Sequence, residues 1–367
     1  MAERPIFRSA ALSAVKHDYV ARGLTSHRRF ELVVVADDPS VPDWAHARNQ
    51  QLADSFKVPY VRDVDQALRE FNVDVAIVSS EAERHCDLSI RAAKLGKHVV
   101  QDKPMTTLRS EAERLVQAVE ASGVHFMMWN RNFVPAVAHA KEQIDAGVVG
   151  EVLGIHIDFY FAKDAGPPIG SRLPGYPPLN WHANQIAAHI DGSDGGLGRT
   201  PMGEITNEGI YPLGYLQMLT GMAIRKVFAR ATAHFHQLYA DNGIEDLGSM
   251  TLELEGGAVG TIALGRIGAA SHPSGGEMKI RIIGESGALL INEASPTVEI
   301  HYRNQPPKEH RQSRVANEND LRLADHFANA IDTGGPTIMD ARASLAVFNV
   351  CAAAIESART GKAIALR

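Results

Sequence analysis

This sequence of 367 residues contains little cysteine, no long apolar runs and no excess of basic residues. Two cysteines, Cys86 and Cys351, are too few for a disulfide framework and are typical of a reducing compartment. No stretch approaches the ~18 uninterrupted apolar residues of a membrane span, and the N-terminus lacks the apolar core of a signal peptide. The net charge of −6 gives no general attraction to nucleic acid or anionic membranes. We therefore expect a cytoplasmic protein that acts on small molecules.

Glycine is missing from a stretch where a nucleotide-binding turn is expected. Residues 8–24 read RSAALSAVKHDYVARGL, with an apolar strand core followed by a helix-like run. In the usual G-x-G-x-x-G turn, the glycines make the turn tight, admit the pyrophosphate to the backbone and pack helix on strand. Aligned by hydrophobicity, these six positions hold Ser13, Ala14, Val15, Lys16, His17 and Asp18.

These replacements leave two alternatives open for the turn. The branched Cβ of Val15 stands where a diphosphate would approach the backbone. Lys16 and His17 offer side chains to a phosphate, and the following helix still presents N–H groups at its start. Either a dinucleotide binds slightly displaced, or it does not bind.

Beyond this turn, the first 125 residues alternate buried strands with helical patterns. Near-continuous apolar runs, typical of parallel strands covered on both faces, occur at residues 31–37, 73–80, 98–103 and 125–130. After about residue 150 the runs resemble strands of an antiparallel sheet. The fold class is therefore α/β: a doubly wound parallel Rossmann sheet in residues 1–128, then an α/β domain with a large, mostly antiparallel open sheet in residues 129–367. We expect the C-terminal helix to pack back on the first domain.

Carboxylates follow the second strand of the predicted Rossmann domain. Asp37 ends this strand, and Asp38 comes next. A carboxylate here accepts hydrogen bonds from the adenosine ribose and repels the 2′-phosphate of NADP. Because no basic residue follows before Trp44, the pattern favours NAD over NADP; a solvated acidic turn is the alternative.

The most specific stretch is GKHVVQDKPMTT, residues 96–107. A buried strand leads into Asp102, Lys103 and Pro104, at the edge of an open α/β sheet where ligands bind. Pro104 has a restricted φ and no N–H, so it ends the strand and fixes how Lys103 projects. A surface lysine beside a turn is the alternative interpretation.

Several ordered motifs resemble the glucose-fructose oxidoreductase / inositol dehydrogenase / MocA family nearly end to end. LGKHVVQDKP is similar to the family's AGKHV-EKP, and NVDVAIVSSEAERHC to its vDvV-i-tP---H. WNRNFVPAVAHAKEQIDAGVVGEV and MGEITNEGIYPLGYLQMLTG resemble its later motifs, although the glycine-rich loop diverges. The resemblance implies a Rossmann domain that binds NAD(P), a C-terminal α/β domain and oxidation of a secondary alcohol on a sugar, inositol or related polyol.

The resemblance also implies roles for particular residues. Lys103 matches the family's catalytic lysine, and Asp102 stands for the glutamate beside the nicotinamide. Ser79 or Ser80 takes the position near the nicotinamide ribose, and His85 is the motif histidine. The family's catalytic Asp and His fall on Asn207 and Tyr211.

The last two positions depart from the family pattern in different ways. A tyrosine at position 211 occurs in the family, and a phenol near the Lys103 ammonium is able to exchange the alcohol proton. Asn207 loses the charge of the aspartate, so it orients a substrate hydroxyl but is not a base. His182 is a candidate for substrate contact or acid/base chemistry. Trp181, Asn130 and Arg131 are candidates for lining the site, and packing roles are the alternative for all four. We predict no metal site.

We predict an NAD-dependent oxidoreductase that acts on a sugar or polyol alcohol, with Lys103 and Tyr211 handling the hydroxyl proton. One alternative is an enzyme that keeps NAD tightly bound for oxidation–elimination or hydrolysis. Another is a degenerate, non-catalytic member that binds a sugar or regulates. We expect a homodimer or homotetramer, with a small-molecule carbohydrate or polyol as partner and neither nucleic acid nor membrane.

Overall fold

A computed structural model describes residues 5–161, 169–172, 202–266, 277–313 and 317–366. The chain divides into two compact units: residues up to 131 with 319–346, and residues 132–318 with the segment from 347 onward. Residues 319–346 thus belong to the first unit despite their late position in the sequence. The domain boundary expected after residue 128 stays a prediction.

Six parallel strands form the sheet of the first unit, in the order β3-β2-β1-β4-β5-β6. They are β1 Phe7–Leu12, β2 Phe30–Ala36, β3 Tyr60–Val61, β4 Val75–Val78, β5 His98–Gln101 and β6 Phe126–Met128. This order confirms the predicted doubly wound sheet. The chain adds strands in one direction from β1 to β3 and then in the other direction from β4 to β6, so the strand order reverses between β1 and β4. Strand β3 was not predicted, because two residues are too short for a periodic signal.

Five helices follow the strands of the first unit. They are α1 Tyr19–Thr25, α2 Asp43–Phe56, α3 Val64–Glu70, α4 Ala82–Lys94 and α5 Arg109–Ser122. All four residues of β4 are buried, as a strand covered on both faces requires. The arrangement brings the loops after β1, β2, β4 and β5 to one edge of the sheet.

The sheet of the second unit has nine strands in the order β14-β13-β12-β11-β7-β10-β9-β8-β15. They are β7 Val152–Phe161, β8 Ile224–Thr232, β9 Leu247–Leu254, β10 Val259–Arg266, β11 Glu277–Gly284, β12 Gly287–Asn292, β13 Thr297–Tyr302, β14 Lys308–Arg311 and β15 Ile364–Ala365. Strands β7 and β10 pair in parallel, whereas their other neighbours pair antiparallel. The predicted mostly antiparallel sheet is confirmed.

The helices of the second unit pack on one face of this sheet, so strand residues alternate between buried and exposed. In β9, Met250 and Leu252 are buried while Thr251 and Glu253 are exposed. The helices are α6 Pro135–Asp145, α7 Glu204–Glu208, α8 Ile210–Thr220 and α9 Gln237–Asp241.

Two longer helices lie near the end of the chain. Helix α10, Glu318–Thr333, falls almost entirely in the first unit, and α11, Ala341–Thr360, begins in the first unit and continues in the second. Of the helices that the structure describes, none combines the length and the apolar character needed to cross a membrane.

Candidate active site

The turn after β1 keeps a tight shape without glycine. Ser13 has a φ of 55°, a left-handed conformation that costs a non-glycine residue about 1–2 kcal/mol. Three N–H groups of the turn have acceptors inside the unit: Ser13 to Ala36 O (2.8 Å), Ala14 to Asn49 Oδ1 (2.7 Å) and Lys16 to Ser79 O (3.1 Å). The side chain of Val15 is buried. Backbone groups that a glycine-rich turn offers to a diphosphate are therefore used by the protein itself.

Lys16 and His17 direct their side chains to the loop after β5. The Lys16 ammonium donates to the main-chain oxygen of Lys103. His17 Nδ1 lies 2.7 Å from Asp102 Oδ2, and the Tyr19 hydroxyl donates to Asp102 Oδ1 at 3.0 Å. The Lys103 N–H also donates to Asp102 Oδ1, at 2.8 Å. Two loops that were expected to contact a cofactor are thus bonded to each other.

Asp102 and His17 hold different charges in this arrangement. Burial raises the pKa of Asp102, but the Lys16 ammonium and the bond to His17 outweigh it and hold that pKa well below its usual range. Burial, together with the nearby Lys16 and Lys103 charges, lowers the pKa of His17 by more than Asp102 raises it. At neutral pH the carboxylate is therefore charged and the imidazole neutral, with the Nδ1 proton donated to Asp102.

Asp37 is fully buried at the end of β2 and has protein partners on both oxygens. Its Oδ1 accepts from Asp38 N at 2.8 Å and from Arg84 Nη2 at 2.5 Å. Its Oδ2 accepts from Asn49 Nδ2 at 2.8 Å, and Asn49 also accepts the N–H of Ala14. Asp37, the predicted ribose acceptor, thus shares its lone pairs with an arginine and an amide.

Ser79 and Ser80 in the loop after β4 and His85 in the first turn of α4 are all buried. The imidazole of His85 lies between the main-chain oxygens of Ser80 (2.9 Å) and Pro104 (2.8 Å), and burial lowers its pKa to about 4. His85 is therefore neutral at physiological pH. It connects the loops after β4 and β5, which accounts for a histidine at this motif position without a catalytic role.

The donors and acceptors at this edge fit a nicotinamide dinucleotide, although the backbone does not form a glycine cradle. In the part of the chain that the structure describes, the buried hydroxyls of Ser13 and Ser79 have no hydrogen-bond partner. They follow β1 and β4, on either side of the reversal in strand order where such cofactors bind. Asp37 and Asp102 end the adjacent strands. The residues suit the two riboses and the nicotinamide, and the diphosphate is the part least provided for.

In the second unit, Asn207 and Tyr211 lie on the consecutive helices α7 and α8. Asn207 is fully buried, and its Nδ2 donates to Glu208 Oε1 at 3.0 Å. The ring of Tyr211 is largely buried and lies 5.7 Å, centroid to centroid, from that of Phe159. The amide at position 207 is thus held by the neighbouring carboxylate.

Arg266, the last residue of β10, joins two carboxylates of α7. Its Nε donates to Glu204 Oε1 at 2.8 Å, and its Nη2 donates to Glu208 Oε1 at 3.0 Å. All three side chains are buried. Burial lowers the pKa of Arg266, but the two carboxylates raise it further, so the guanidinium stays charged. This network ties the helix of Asn207 to the sheet.

Glu245 supports the start of the same helix. Its carboxyl accepts the N–H of Ile205 at 2.9 Å, and its main-chain oxygen accepts that of Glu204 at 3.1 Å. Burial raises the pKa of Glu245 to about 7. A Cβ at position 203 would lie 2.2 Å from this carboxyl, so the close approach requires Gly203.

The remaining predicted site residues are Asn130, Arg131, Trp181 and His182. Asn130 is buried and donates to the main-chain oxygen of Met128 at 2.8 Å, while Arg131 is partly exposed. Trp181 and His182 lie outside the described residues. Across the described ranges, no three His, Cys, Asp or Glu side chains are grouped so as to hold a metal ion.

Sequence reasoning missed Asn49 and Arg84, the two side chains that hold Asp37. Arg84 is 47 residues from Asp37, so no local pattern connects them. Asn49 gave a usable signal: it belongs to the buried stripe of α2, and a polar residue among apolar ones usually has a specific partner. Arg266 and its carboxylates gave no such signal, because they come from distant segments.

Two family models match the chain. The model of an oxidoreductase family with an NAD-binding Rossmann fold matches residues 14–129, and the C-terminal α/β domain of that family matches residues 198–366. Among curated proteins, the chain is 24% identical over 255 residues to scyllo-inositol 2-dehydrogenase (NAD(+)) of Bacillus subtilis, covering 68% of the chain and 65% of that protein. It is 22% identical over 237 residues to myo-inositol 2-dehydrogenase of Thermotoga maritima, covering 64% of the chain and 61% of the relative. The alignments thus span less than two thirds of the length of these relatives.

Solved structures match over almost the whole chain. Levoglucosan dehydrogenase in complex with NADH superposes with a TM-score of 0.78 at 17% identity, covering 98% of this chain and 99% of that one. Aldose-aldose oxidoreductase from Caulobacter crescentus, complexed with glycerol, gives 0.76 at 20% identity, with coverage of 99% and 100%. At these identities the likeness shows the fold.

Proposed function

The chain belongs to this oxidoreductase family with an NAD-binding Rossmann domain, and from that premise we propose that it is an NAD-dependent oxidoreductase acting on a secondary alcohol of a sugar, glycoside, inositol or related polyol. The observation that carries the proposal is the sheet edge of the first unit. There Asp37, the hydroxyls of Ser13 and Ser79 and the Asp102–Lys103 loop follow strands on both sides of the reversal in strand order. The inositol and levoglucosan dehydrogenases among the relatives support the substrate class.

In this proposal, Asp37 accepts from the adenosine ribose, and Ser79 or Ser80 lies by the nicotinamide ribose. Asp102 lies beside the nicotinamide, and the diphosphate would lie over the turn at residues 13–17. A bound nicotinamide supplies the acceptor for the hydride that leaves the alcohol carbon.

Lys103 is the proposed catalytic residue, and its own surroundings support this role. Its N–H is bonded to Asp102, its main-chain oxygen accepts from the Lys16 ammonium, and Pro104 follows it. The backbone of Lys103 is therefore fixed on both sides, which orients its side chain. The side chain would hold the alcohol oxygen and, as the free amine, take up its proton in the oxidation direction.

Tyr211 and Asn207 are proposed substrate contacts of the second unit. The Tyr211 phenol would exchange the hydroxyl proton, and the Asn207 amide, tied to Glu208, would orient a second hydroxyl. Asn130, Arg131, Trp181 and His182 remain predictions as further contacts. The open face of the nine-stranded sheet supports a homodimer or homotetramer, which light scattering during gel filtration would measure.

A polyol panel tests the proposal directly. Purified protein is mixed with inositols, levoglucosan, aldoses or glycerol in the presence of NAD, and the absorbance of reduced nicotinamide is followed. We expect turnover with at least one of these alcohols, and its loss in Lys103→Met. Failure of the wild-type protein on every alcohol, combined with no binding of any nicotinamide nucleotide, would contradict the proposal.

A second candidate is favoured by the turn after β1. Because the N–H groups of Ala14 and Lys16 already have acceptors, the chain would in this case be a member that binds a sugar without a nucleotide. Saturable sugar binding by a protein that binds no nicotinamide nucleotide would favour this candidate.

A further inference from the structure

Arginines of helix α4 pair with the carboxylates that follow β2. Arg84 Nη2 lies 2.5 Å from Asp37 Oδ1 and 3.3 Å from Asp38 Oδ2. The other terminal nitrogen of Arg84, Nη1, lies 3.4 Å from Glu81 Oε2. Two turns along the helix, Arg91 Nη1 pairs with Asp38 at 2.9 Å. The carboxylates expected to face the adenosine ribose are therefore paired with arginines.

This pairing removes the physical basis for strong selection against NADP. A bare aspartate at the end of β2 repels the 2′-phosphate, and the absence of nearby basic residues in the sequence favoured NAD for that reason. In the structure Asp37 is fully buried while the Arg84 side chain is 27% exposed, so the arginine is the more accessible of the two. A guanidinium is the side chain best suited to a phosphate, because its planar N–H groups match the phosphate oxygens.

The same pairing weakens the advantage of NAD. Both oxygens of Asp37 already accept hydrogen bonds, from Arg84, Asn49 and the N–H of Asp38. The ribose hydroxyls of NAD would share these lone pairs rather than gain an unoccupied carboxylate.

We propose that Arg84 determines the dinucleotide selectivity of this protein, and that by pairing with Asp37 it makes the chain accept NADP alongside NAD. The inference rests on the proposed function, because it assumes that a nicotinamide dinucleotide binds at this edge. It names a selectivity residue on α4, outside the loop after β2 where the sequence pattern placed the choice.

Binding titrations test the inference without any substrate. The dissociation constants of NADH and NADPH are measured by nucleotide fluorescence for the wild-type protein, Arg84→Met, Arg84→Lys and the control Arg91→Met. For the wild type we expect the two constants to lie within about tenfold of each other. Arg84→Met should weaken the binding of NADPH at least about tenfold and the binding of NADH less than about threefold. Arg84→Lys should give an intermediate ratio, since it keeps the charge but loses the planar donor group.

Arg91→Met is the matched control, because Arg91 lies on the same helix and pairs with Asp38 rather than Asp37. This substitution should change the ratio of the NADPH and NADH dissociation constants less than about threefold. A wild-type protein that prefers NADH by more than about a hundredfold would overturn the inference even if Arg84→Met does not fold. A ratio unchanged by Arg84→Met, or changed equally by Arg91→Met, would overturn it while leaving the proposed function intact. If neither nucleotide binds the wild type, the proposed function fails together with the inference.

Discussion

Each unit of the molecule contains a charged cluster in which one arginine is bonded to carboxylates, and the two clusters differ in access to solvent. In the first unit, the Asp37 cluster consists of Asp37, Arg84 and Asn49, and its arginine is 27% exposed. In the second unit, the Arg266 cluster consists of Arg266, Glu204 and Glu208, and its arginine is only 8% exposed.

This difference assigns the clusters to different tasks. A partly exposed arginine can exchange a carboxylate for a ligand, since water and ligand reach it. A buried arginine between two buried carboxylates cannot leave without stranding their charges, so it fixes the helix that it holds. Changes at the sheet edge of the first unit should therefore affect ligands, and changes at the Arg266 cluster should affect stability.

The largest effect is expected at the sheet edge of the first unit. Lys103→Met should reduce turnover about 10³-fold or more, because the ammonium that handles the alcohol proton is lost. Its free energy of unfolding should stay within about 1 kcal/mol of the wild type. Steady-state kinetics and urea unfolding measure the two quantities, with the exposed Lys94→Met as control. Equal losses of turnover and stability would blur the distinction between the clusters.

The reverse result is expected at the Arg266 cluster. Arg266→Met leaves Glu204 and Glu208 buried without their counter-charge, and it should lower the free energy of unfolding by about 4 kcal/mol. The control Arg225→Met removes an exposed pair with Glu255 and should cost less than about 1 kcal/mol. Urea unfolding compares the variants, with Arg84→Met expected between them. A smaller loss of unfolding free energy in Arg266→Met than in Arg84→Met would contradict the assignment of the Arg266 cluster to stability.

Glu245, whose carboxyl accepts an N–H at the start of the helix of the Arg266 cluster, should make stability depend on pH. Burial raises its pKa from 4.5 to about 7, and the nearby Glu204 and Asp246 add to the shift. The folded protein therefore keeps this proton to a higher pH than the unfolded chain does. The resulting stability is present below pH 4.5 and is lost, by up to about 3 kcal/mol, as pH rises through 7.

His85 acts in the opposite direction, since its pKa falls from 6.5 to about 4 and its stabilisation is lost as pH falls through that interval. The Glu245 contribution is therefore read from the difference between the wild type and Glu245→Gln, measured by urea unfolding from pH 5 to 8. Glu253→Gln, at an exposed position of β9, serves as the control. A pH-independent difference would show that Glu245 does not titrate in this range.

The smallest effect is expected at the turn after β1. Ser13→Gly relieves the left-handed strain at φ 55°, but it makes the unfolded chain more flexible, so a net gain of about 0.5 kcal/mol is expected. The control Ser9→Gly, in the extended strand β1, should instead lose about 0.5–1 kcal/mol. Thermal unfolding of both variants measures the difference, and a destabilised Ser13→Gly would contradict a turn that mimics glycine.

Much of the fold follows from the sequence because its signals are local. Runs such as residues 73–80 are apolar on both faces, which is typical of a covered parallel strand, and β4 is fully buried as expected. Alternation in β9 likewise marks a sheet with one packed face. The family resemblance is confirmed by matches in both halves of the chain.

The site could be predicted only as far as the ends of its strands. Asp37, Ser79 and Lys103 fall where parallel strands end, so their common edge is predictable from the strand order. Their partners are not, because Arg84 and Asn49 reach Asp37 from other helices. The charge around Asp37 depends on neighbours in space, which the sequence pattern does not show.

The most direct test of the proposed cofactor site is calorimetric titration of nucleotide-free wild-type protein with NADH. If the turn without glycines still belongs to a working dinucleotide site, one equivalent should bind with a dissociation constant between about 1 μM and 100 μM. No measurable binding up to about 1 mM NADH or NADPH would contradict the proposal.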